Sequence, residues 1–255
     1  MKREIRIFYT AVMFFTRIPC PSFTDHDPEY LNRSSKYFTL VGMLIGALCG
    51  LSFWLAVQVF SPTISLLLSF VISFLLTGAF HEDGLADVCD GFGGGWTKLK
   101  ILDIMKDSRV GTFGLVGLGL NLALKFATLN EMPIDLMIAV LISGHAISRL
   151  TSVSLIYTDE YAREDLLSKS KPLATKMSHQ DYLIAVFFGL APLLLMRSFL
   201  IFLAIIPLIL VKLYFSRYFN KWIGGYTGDC LGAVQQIAEV VYYLSVLLIF
   251  RFLVA

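Results

Sequence analysis

Long apolar runs constrain the fold of this chain more than any other feature. Each is close to the roughly 20 residues that a helix needs to cross a bilayer. The runs are Tyr37 to Phe60, Thr63 to Phe80, Gly111 to Asn130, Ile134 to Tyr157, Tyr182 to Met196, Phe199 to Phe215 and Ala233 to Phe250. Backbone groups in lipid must be hydrogen-bonded within the protein, and continuous runs of this kind are typical of membrane helices. We therefore predict an all-α, polytopic membrane bundle of about seven spans.

The fifth and sixth runs are short, and each contains a proline, Pro192 or Pro207. Arg197 and Ser198 lie between them, which favours a tight hairpin joining two spans. One long segment, broken or re-entrant, is the alternative because prolines interrupt helical hydrogen bonding.

The composition excludes an ordinary soluble domain. Of the 255 residues, 56% are hydrophobic and only 16% are charged, whereas charged residues make up about 25% of typical soluble domains. The net charge of +2 is too small to indicate a nucleic-acid partner. The 4 cysteines show no C-x-x-C spacing, so we interpret them as reduced thiols.

Residues 1–35 precede the first apolar run. Their amphipathic segment from Lys2 to Pro19 lacks the small-residue cleavage pattern of a signal peptide, so we predict a helix along the cytoplasmic interface. No repeat or long linker divides the chain. We predict a single membrane-embedded catalytic domain over residues 1–255, with the lipid bilayer around it, and a homo-oligomer is left open.

The distribution of Lys and Arg indicates the orientation of the spans. With the amino terminus in the cytoplasm, most basic residues between spans lie on the cytoplasmic side, as the positive-inside rule predicts. These residues are Lys98, Lys100, Lys106, Arg109, Arg163, Lys169, Lys171, Lys176, Arg217 and Lys221. The polar segments then share one face, and a site built from them opens to the cytoplasm.

An acidic motif follows the second apolar run and reads HEDGLADVCDGFGGGW. Its acids are Glu82, Asp83, Asp87 and Asp90. On a helix the three aspartates stand at i, i+4 and i+7, so they project from one face. Oxygen ligands without Cys or His favour Mg²⁺ or Mn²⁺ over Zn²⁺.

A solvated helix end is the alternative interpretation of this motif, but carboxylates beside a membrane span are rarely without a function. The glycines that follow, among them Gly93 and Gly94, leave backbone that a phosphorylated ligand can approach closely. We therefore predict a metal and pyrophosphate site here.

A second acidic pair lies in DIMKDSRVGTFG, where Asp103 and Asp107 stand at i and i+4 beside Lys106 and Arg109. Such a pair could hold a second metal for phosphoryl transfer. Ordinary salt bridges on a helix are the alternative, and both stay open for Asp103. For Asp107 with Arg109, the glycines that follow favour a functional role.

The segment before the last span reads RYFNKWIGGYTGDCLG. Arg217 and Lys221 are natural phosphate ligands, and we predict that they bind substrate together with Thr227. An interfacial aromatic belt with basic anchors is the alternative. That alternative accounts for Trp222 but poorly for Asp229, the acid of this segment.

Several polar side chains fall inside the predicted spans. They are Asn121, Lys125, His145, Arg149 and Glu239. Each is costly in lipid, so each should face the bundle interior or reach an interface. We predict that Arg149, near the cytoplasmic end of its span, reaches a substrate phosphate. Lys125, near the outer end, is expected to extend to the interface.

Three of these motifs resemble the cobalamin synthase family, the adenosylcobinamide-GDP ribazoletransferases. HEDGLADVCDGFGGG, DSRVGTFG and GGYTGDCLGA occur in this order between spans, and the resemblance extends from Arg17 to Ala233. It implies a Mg²⁺-dependent enzyme of the bacterial cytoplasmic (inner) membrane. Such an enzyme joins adenosylcobinamide-GDP to α-ribazole or its 5′-phosphate and releases GMP. The product is adenosylcobalamin or its 5′-phosphate, in the last steps of cobalamin nucleotide-loop assembly.

The resemblance also implies roles for individual residues. It gives the acidic motif as the metal ligands and adds three further residues to the site. The metal residues are Glu82, Asp83, Asp87 and Asp90, and the catalytic residues are Asp83, Asp107, Arg109 and Asp229.

A weaker similarity points to a different transferase. Asp87-x-x-Asp90-Gly91 and Asp103-x-x-x-Asp107 are similar to the two ends of the signature of CDP-alcohol phosphatidyltransferases, but the Ala-Arg pair between them is missing. A CDP-alcohol phosphotransferase acting on a lipid is therefore the alternative function. A membrane transporter ranks lower, because the acids cluster at one surface instead of at mid-membrane.

Overall fold

The computed structural model describes residues 2–24, 28–162 and 177–254, and these are almost entirely helical. The helices are α1 (Lys2–Phe15), α2 (Pro28–Ser34), α3 (Phe38–Ala56), α4 (Pro62–Thr77), α5 (Phe80–Gly94), α6 (Lys98–Ile104), α7 (Thr112–Asn130), α8 (Met137–Thr158), α9 (His179–Leu190), α10 (Ile205–Ile223) and α11 (Gly228–Ile249). Four short 3₁₀ turns adjoin these helices, at Ser35–Tyr37, Ile134–Leu136, Ala191–Met196 and Phe199–Ala204. The described ranges contain no strand.

Within these ranges, 6 helical segments are long and apolar enough to cross a membrane. They are Glu29–Ala56, Thr112–Asn130, Ile134–Thr158, His179–Met196, Phe199–Ile223 and Gly228–Leu253. Helices α4 and α5 meet the same test only as a pair, bent by 87° against each other, which would make up to 7 spans. The predicted multi-pass, all-α membrane bundle is confirmed.

The bend between α4 and α5 is at Gly78 and Ala79, which both adopt left-handed backbone conformations, with φ of 68° and 57°. Glycine adopts this conformation freely, whereas a residue with a Cβ rarely does. A Cβ on Gly78 would also overlap the guanidinium group of Arg17. The predicted second span therefore ends at Thr77, and α5 starts in a new direction.

The two short runs near Arg197 form two separate segments, as in the predicted hairpin. Arg197 has a left-handed φ of 54° and ends the 3₁₀ turn Ala191–Met196. Pro192 lies in the first positions of that turn, where its missing N–H leaves no hydrogen bond unmade.

Helices α3, α8 and α11 form the centre of the bundle, and α5 packs against α11 and α7. The amino-terminal helix α1 lies on the bundle, and it buries Ile7 and Ala11 completely. The Lys36 Nζ atom is 2.8 Å from Glu4 of α1 and 3.1 Å from Asp181 of α9. These ion pairs attach α1 to the membrane helices.

Helix α3 packs closely against α8 at Gly46, where a Cβ would lie 2.6 Å from the carbonyl oxygen of Leu141. Small residues allow this kind of close helix packing in membranes. We expect Gly46→Val to lower the free energy of unfolding by about 1–3 kcal/mol, as overpacking does. Thermal unfolding in detergent micelles measures the loss. Gly119→Val in α7 is the control, because no atom lies within 4 Å of a Cβ there. Equal losses in both variants would contradict the close packing.

Candidate active site

Helix α5 carries the acidic motif, and its geometry places the three aspartates on one face. A helix turns about 100° per residue, so Asp83, Asp87 and Asp90 fall within a sector of about 60°. Asp83 is exposed, and Asp87 and Asp90 are partly buried. The face that they form is therefore accessible to a ligand, and Gly94 continues it toward the end of the helix.

Glu82 lies on a different side of α5. Its side chain is only 5% exposed, and its Oε1 atom accepts a hydrogen bond of 2.8 Å from Gln236 Nε2 of α11. The structure therefore does not bring Glu82 together with the three aspartates, although the motif places all four acids side by side.

Asp90 connects α5 to the start of α7. Its Oδ2 accepts a hydrogen bond of 2.6 Å from the backbone N–H of Gly111, and its Oδ1 accepts one of 2.8 Å from Gly114. A carboxylate at this position satisfies amide groups that lack partners within α7 and complements the helix dipole. A Cβ on Gly114 would overlap this carboxylate. The glycines of DSRVGTFG thus leave their backbone N–H groups accessible, and these groups bind the carboxylate of Asp90.

Asp229 approaches α5 from the first turn of α11. A Cβ on Gly84 of α5 would lie 2.9 Å from the carbonyl oxygen of Asp229, so the two backbones are in direct contact. Gly84 follows Asp83 in sequence but points about 100° away from it around the helix. The contact therefore places the backbone of Asp229 beside α5, next to the turn that carries Asp83.

Thr227 is the N-cap of α11, where its Oγ1 atom accepts a hydrogen bond of 3.3 Å from the backbone N–H of Cys230. The residue is completely buried. The hydroxyl group caps the helix in this structure, and the contact of Thr227 with substrate stays a prediction.

A charged cavity of about 500 Å³ continues the aspartate face beyond the end of α5. Its size is within the range of small-molecule sites. Acidic, basic and glycine residues from α5, α6 and the start of α7 form its walls. The lining residues are Asp90, Gly94, Lys100, Asp103, Ile104, Lys106, Asp107, Arg109, Gly111, Thr112 and Phe113. The predicted residues Asp90, Gly94, Asp107 and Arg109 are thus brought together.

Asp107 and Arg109 form a two-point ion pair on one side of this cavity. Arg109 Nε is 3.0 Å from Asp107 Oδ1, and Arg109 Nη2 is 2.5 Å from Oδ2. These hydrogen bonds lower the pKa of Asp107 to about 2. Asp103 forms a longer ion pair of 3.4 Å with Lys100 while lining the same cavity, so both interpretations of Asp103 stay open.

Gly93, Arg217 and Lys221 lie outside this cavity lining. Gly93 packs against the ring of Phe113, which a Cβ would approach to 2.6 Å. Arg217 and Lys221 are exposed near the end of α10. Ring contacts of Phe92 with residues 218 and 219 place that end of α10 beside α5.

Arg149 is sealed inside the bundle, with 1% of its surface exposed. Its Nη1 atom donates a hydrogen bond of 2.7 Å to the carbonyl oxygen of His145, and its guanidinium carbon lies 5.3 Å from the centre of the Phe38 ring. The structure therefore does not bring Arg149 together with the cavity residues, and its contact with a substrate phosphate stays a prediction. The side chain folds back along α8 instead of extending to the surface.

Lys125 is also buried, and the prediction that it extends to the interface is wrong. Its Nζ atom is 3.0 Å from Glu239 Oε1, which also accepts a hydrogen bond of 2.9 Å from Tyr243. Gln235 donates a bond of 2.7 Å to the second oxygen of Glu239. In lipid an ion pair of this kind is the alternative to carrying the charge to the surface.

Comparison with known proteins assigns the chain to a family. The family model described as cobalamin-5-phosphate synthase matches residues 7–248. The chain belongs to this family. No solved structure matches it.

Several curated relatives in this family carry the name adenosylcobinamide-GDP ribazoletransferase. The protein from Shewanella frigidimarina is 47% identical over 96% of this chain and 95% of its own length. The proteins from Shewanella piezotolerans and Shewanella baltica are 45% and 44% identical over 97% of this chain, and the matches cover 97% and 95% of their own lengths.

The donor chemistry of the α5 face fits a magnesium ion. Among the described residues, no three His, Cys, Asp or Glu side chains are close enough to enclose a metal by themselves. Mg²⁺ does not require such a cage, because it usually keeps several waters and binds one or two carboxylates together with substrate phosphates. The exposed Asp83 and the partly buried Asp87 and Asp90 offer such carboxylates on one face of α5, and Asp90 also lines the cavity.

Proposed function

We infer that this chain is a membrane-bound adenosylcobinamide-GDP ribazoletransferase. It joins adenosylcobinamide-GDP to α-ribazole or its 5′-phosphate, releases GMP, and forms adenosylcobalamin or its 5′-phosphate. The observation that carries this conclusion is the 47% identity to a relative of that name over 96% of the chain. A lipid-directed CDP-alcohol phosphotransferase is not favoured.

We propose that the diphosphate of adenosylcobinamide-GDP binds where the cavity meets the aspartate face. Lys100, Lys106 and Arg109 supply positive charge along the cavity wall. A Mg²⁺ ion held by one or two carboxylates of the face formed by Asp83, Asp87 and Asp90, together with substrate phosphates, would neutralise charge on the leaving GMP. Arg217 and Lys221, exposed on the neighbouring helix, remain proposed substrate contacts.

The reaction forms one bond and breaks another at the phosphorus next to the cobinamide. The 3′-hydroxyl oxygen of α-ribazole attacks this phosphorus, and GMP leaves with the electron pair of the broken P–O bond. We propose that Asp229 accepts the hydroxyl proton. Asp107 is a poor base because its pKa is lowered to about 2, so its role is to orient Arg109.

The lowered pKa of Asp107 leads to a pH prediction. The Asp107–Arg109 pair is fully formed above the usual aspartate pKa and is lost only as the pH falls through about 2. We therefore expect Asp107→Asn to lower turnover without moving the acid limb of the pH–rate profile, measured from about pH 5 to about pH 9. An acid limb that shifts or disappears in this variant would identify Asp107 as the titrating base.

We propose that the protein lies in the bacterial cytoplasmic membrane with the cavity open to the cytoplasm. Exposed basic residues at the cavity end of the bundle support this orientation through the positive-inside rule. They include Lys98, Lys100, Lys106, Arg109, Arg217 and Lys221. Arg163, Lys169, Lys171 and Lys176 lie outside the described residues, and the homo-oligomer remains a prediction.

A substrate comparison tests the function. The purified protein in lipid nanodiscs is given adenosylcobinamide-GDP with either α-ribazole or its 5′-phosphate, and in parallel CDP-diacylglycerol with a polar alcohol. We expect mass spectrometry to detect a cobalamin product in the first reactions only. Turnover of CDP-diacylglycerol without any cobalamin product would refute the proposal.

A further inference from the structure

Glu82 is the first acid of the motif and begins a hydrogen-bonded chain across the bundle. Its Oε1 atom accepts a bond from Gln236 Nε2, and the same Gln236 nitrogen also lies 3.0 Å from the side-chain oxygen of Gln235. Asn121 of α7 donates to the Gln236 oxygen at 3.3 Å. Through these amides the start of α5 is connected to both α11 and α7.

The series of hydrogen-bonded side chains continues from Gln235 into the centre of the bundle. Gln235 donates to Ser148 of α8 at 3.0 Å and to Glu239 at 2.7 Å, and Glu239 pairs with Lys125. All of these residues are buried, with at most 8% of their surface exposed. In such a low-dielectric interior hydrogen bonds are stronger than in water, and they hold the bonded side chains in one arrangement.

Helix α5 is therefore attached at two levels. Glu82 on its first turn bonds α11, and Asp90 near its end bonds the first amides of α7. These two residues are about 12 Å apart along the helix axis, at about 1.5 Å per residue. Asp83 and Asp87 lie between them on the accessible face.

We propose that Glu82 is a positioning residue that fixes the rotation of α5 about its axis, and that it is not a metal ligand. The proposal rests on the proposed function, because it assigns the metal face to the aspartates. Rotation of α5 would turn the face that carries Asp83, Asp87 and Asp90 away from the cavity that Asp90 lines. The bend at Gly78 and Ala79 interrupts α4 and α5, so α4 alone does not fix that rotation.

Only one oxygen of Glu82 is used in this role. Oε2 is buried and has no hydrogen-bond partner among the described residues. The amide oxygen of a glutamine can accept the same bond from Gln236. A positioning role therefore tolerates Glu82→Gln, whereas a magnesium ligand requires the carboxylate.

The test compares Glu82→Gln, Glu82→Leu and Asp83→Asn in nanodiscs. We expect Glu82→Gln to keep turnover and the Mg²⁺ concentration for half-maximal turnover within about threefold of wild type. Glu82→Leu should lose about 10–100-fold in turnover, as loss of a supporting residue does. If Glu82→Leu does not fold, the Gln variant still decides the question. A Glu82→Gln loss as large as that of Asp83→Asn, with a raised Mg²⁺ requirement, would overturn the proposal.

A second readout does not depend on activity. Glu82→Leu and Gln236→Leu should each lower the Tm. Gln236→Leu should lower it more, because it also loses the bonds to Gln235 and Asn121. The double variant should lower the Tm little beyond Gln236→Leu, because either single change already breaks the bond between the two residues. Additive Tm losses would overturn the positioning role even if the wild type made no cobalamin product. Absence of product with non-additive Tm losses would instead refute the proposed function alone.

Discussion

Asp83→Asn should lower turnover by about 10²–10³-fold while the protein stays folded. Asp83 is the most accessible carboxylate of the α5 face, and loss of one preorganised charge contact to the reacting phosphates costs about that much. Asparagine keeps the size of the side chain and removes the charge. Steady-state GMP release measures the turnover, and the Tm of the purified variant verifies the fold.

Asp135→Asn is the matched control for this variant. Asp135 is an exposed aspartate in the turn before α8, at the other end of the bundle from the cavity. It should keep wild-type turnover. Wild-type turnover in Asp83→Asn would remove the α5 face from the mechanism, and an equal loss in both variants would indicate a general effect of lost charge.

Lys125→Met is the substitution with the largest expected effect on stability. It should lower the free energy of unfolding by about 3–5 kcal/mol, because Glu239 would be left as an unpaired charge inside the bundle. Glu239 is completely buried and Lys125 is 5% exposed. Denaturant unfolding in detergent micelles measures the loss.

The double variant Lys125→Met with Glu239→Leu removes both charges and should recover most of that loss, since replacing a buried ion pair by apolar residues is often nearly neutral. Lys98→Met, at an exposed lysine, controls for the loss of a positive charge. Glu239→Leu alone is measured as well. If the losses of Lys125→Met and Glu239→Leu simply add in the double variant, the two side chains are not paired in the folded protein.

The sequence predicts the membrane helices well because their apolar length is a local property. The helix through the acidic motif is also predictable, since the i, i+4 and i+7 spacing of Asp83, Asp87 and Asp90 already places them on one face. The sharp bend before this helix is harder to predict. It depends on left-handed backbone at Ala79, a residue that rarely adopts it.

The partners of the polar side chains depend on which helices are neighbours, and the sequence does not contain that information in any local pattern. The motif predicts Glu82 as a fourth metal ligand, and its hydrogen bond from Gln236 of α11 is seen only in the structure. Lys125 looks like an interfacial anchor until Glu239 is found 3.0 Å away. The adjacent Gln235 and Gln236 inside an apolar span were the available signal, because buried amides require partners.

The most direct test of the central claim is GMP release by the purified protein in lipid nanodiscs. Adenosylcobinamide-GDP and α-ribazole are supplied with Mg²⁺, with EDTA, or with EDTA followed by excess Mg²⁺. We predict release that requires both substrates, stops with EDTA and returns with Mg²⁺. Release that continues unchanged in EDTA would contradict the magnesium site on α5, and no release from folded protein under any condition would contradict the transferase itself.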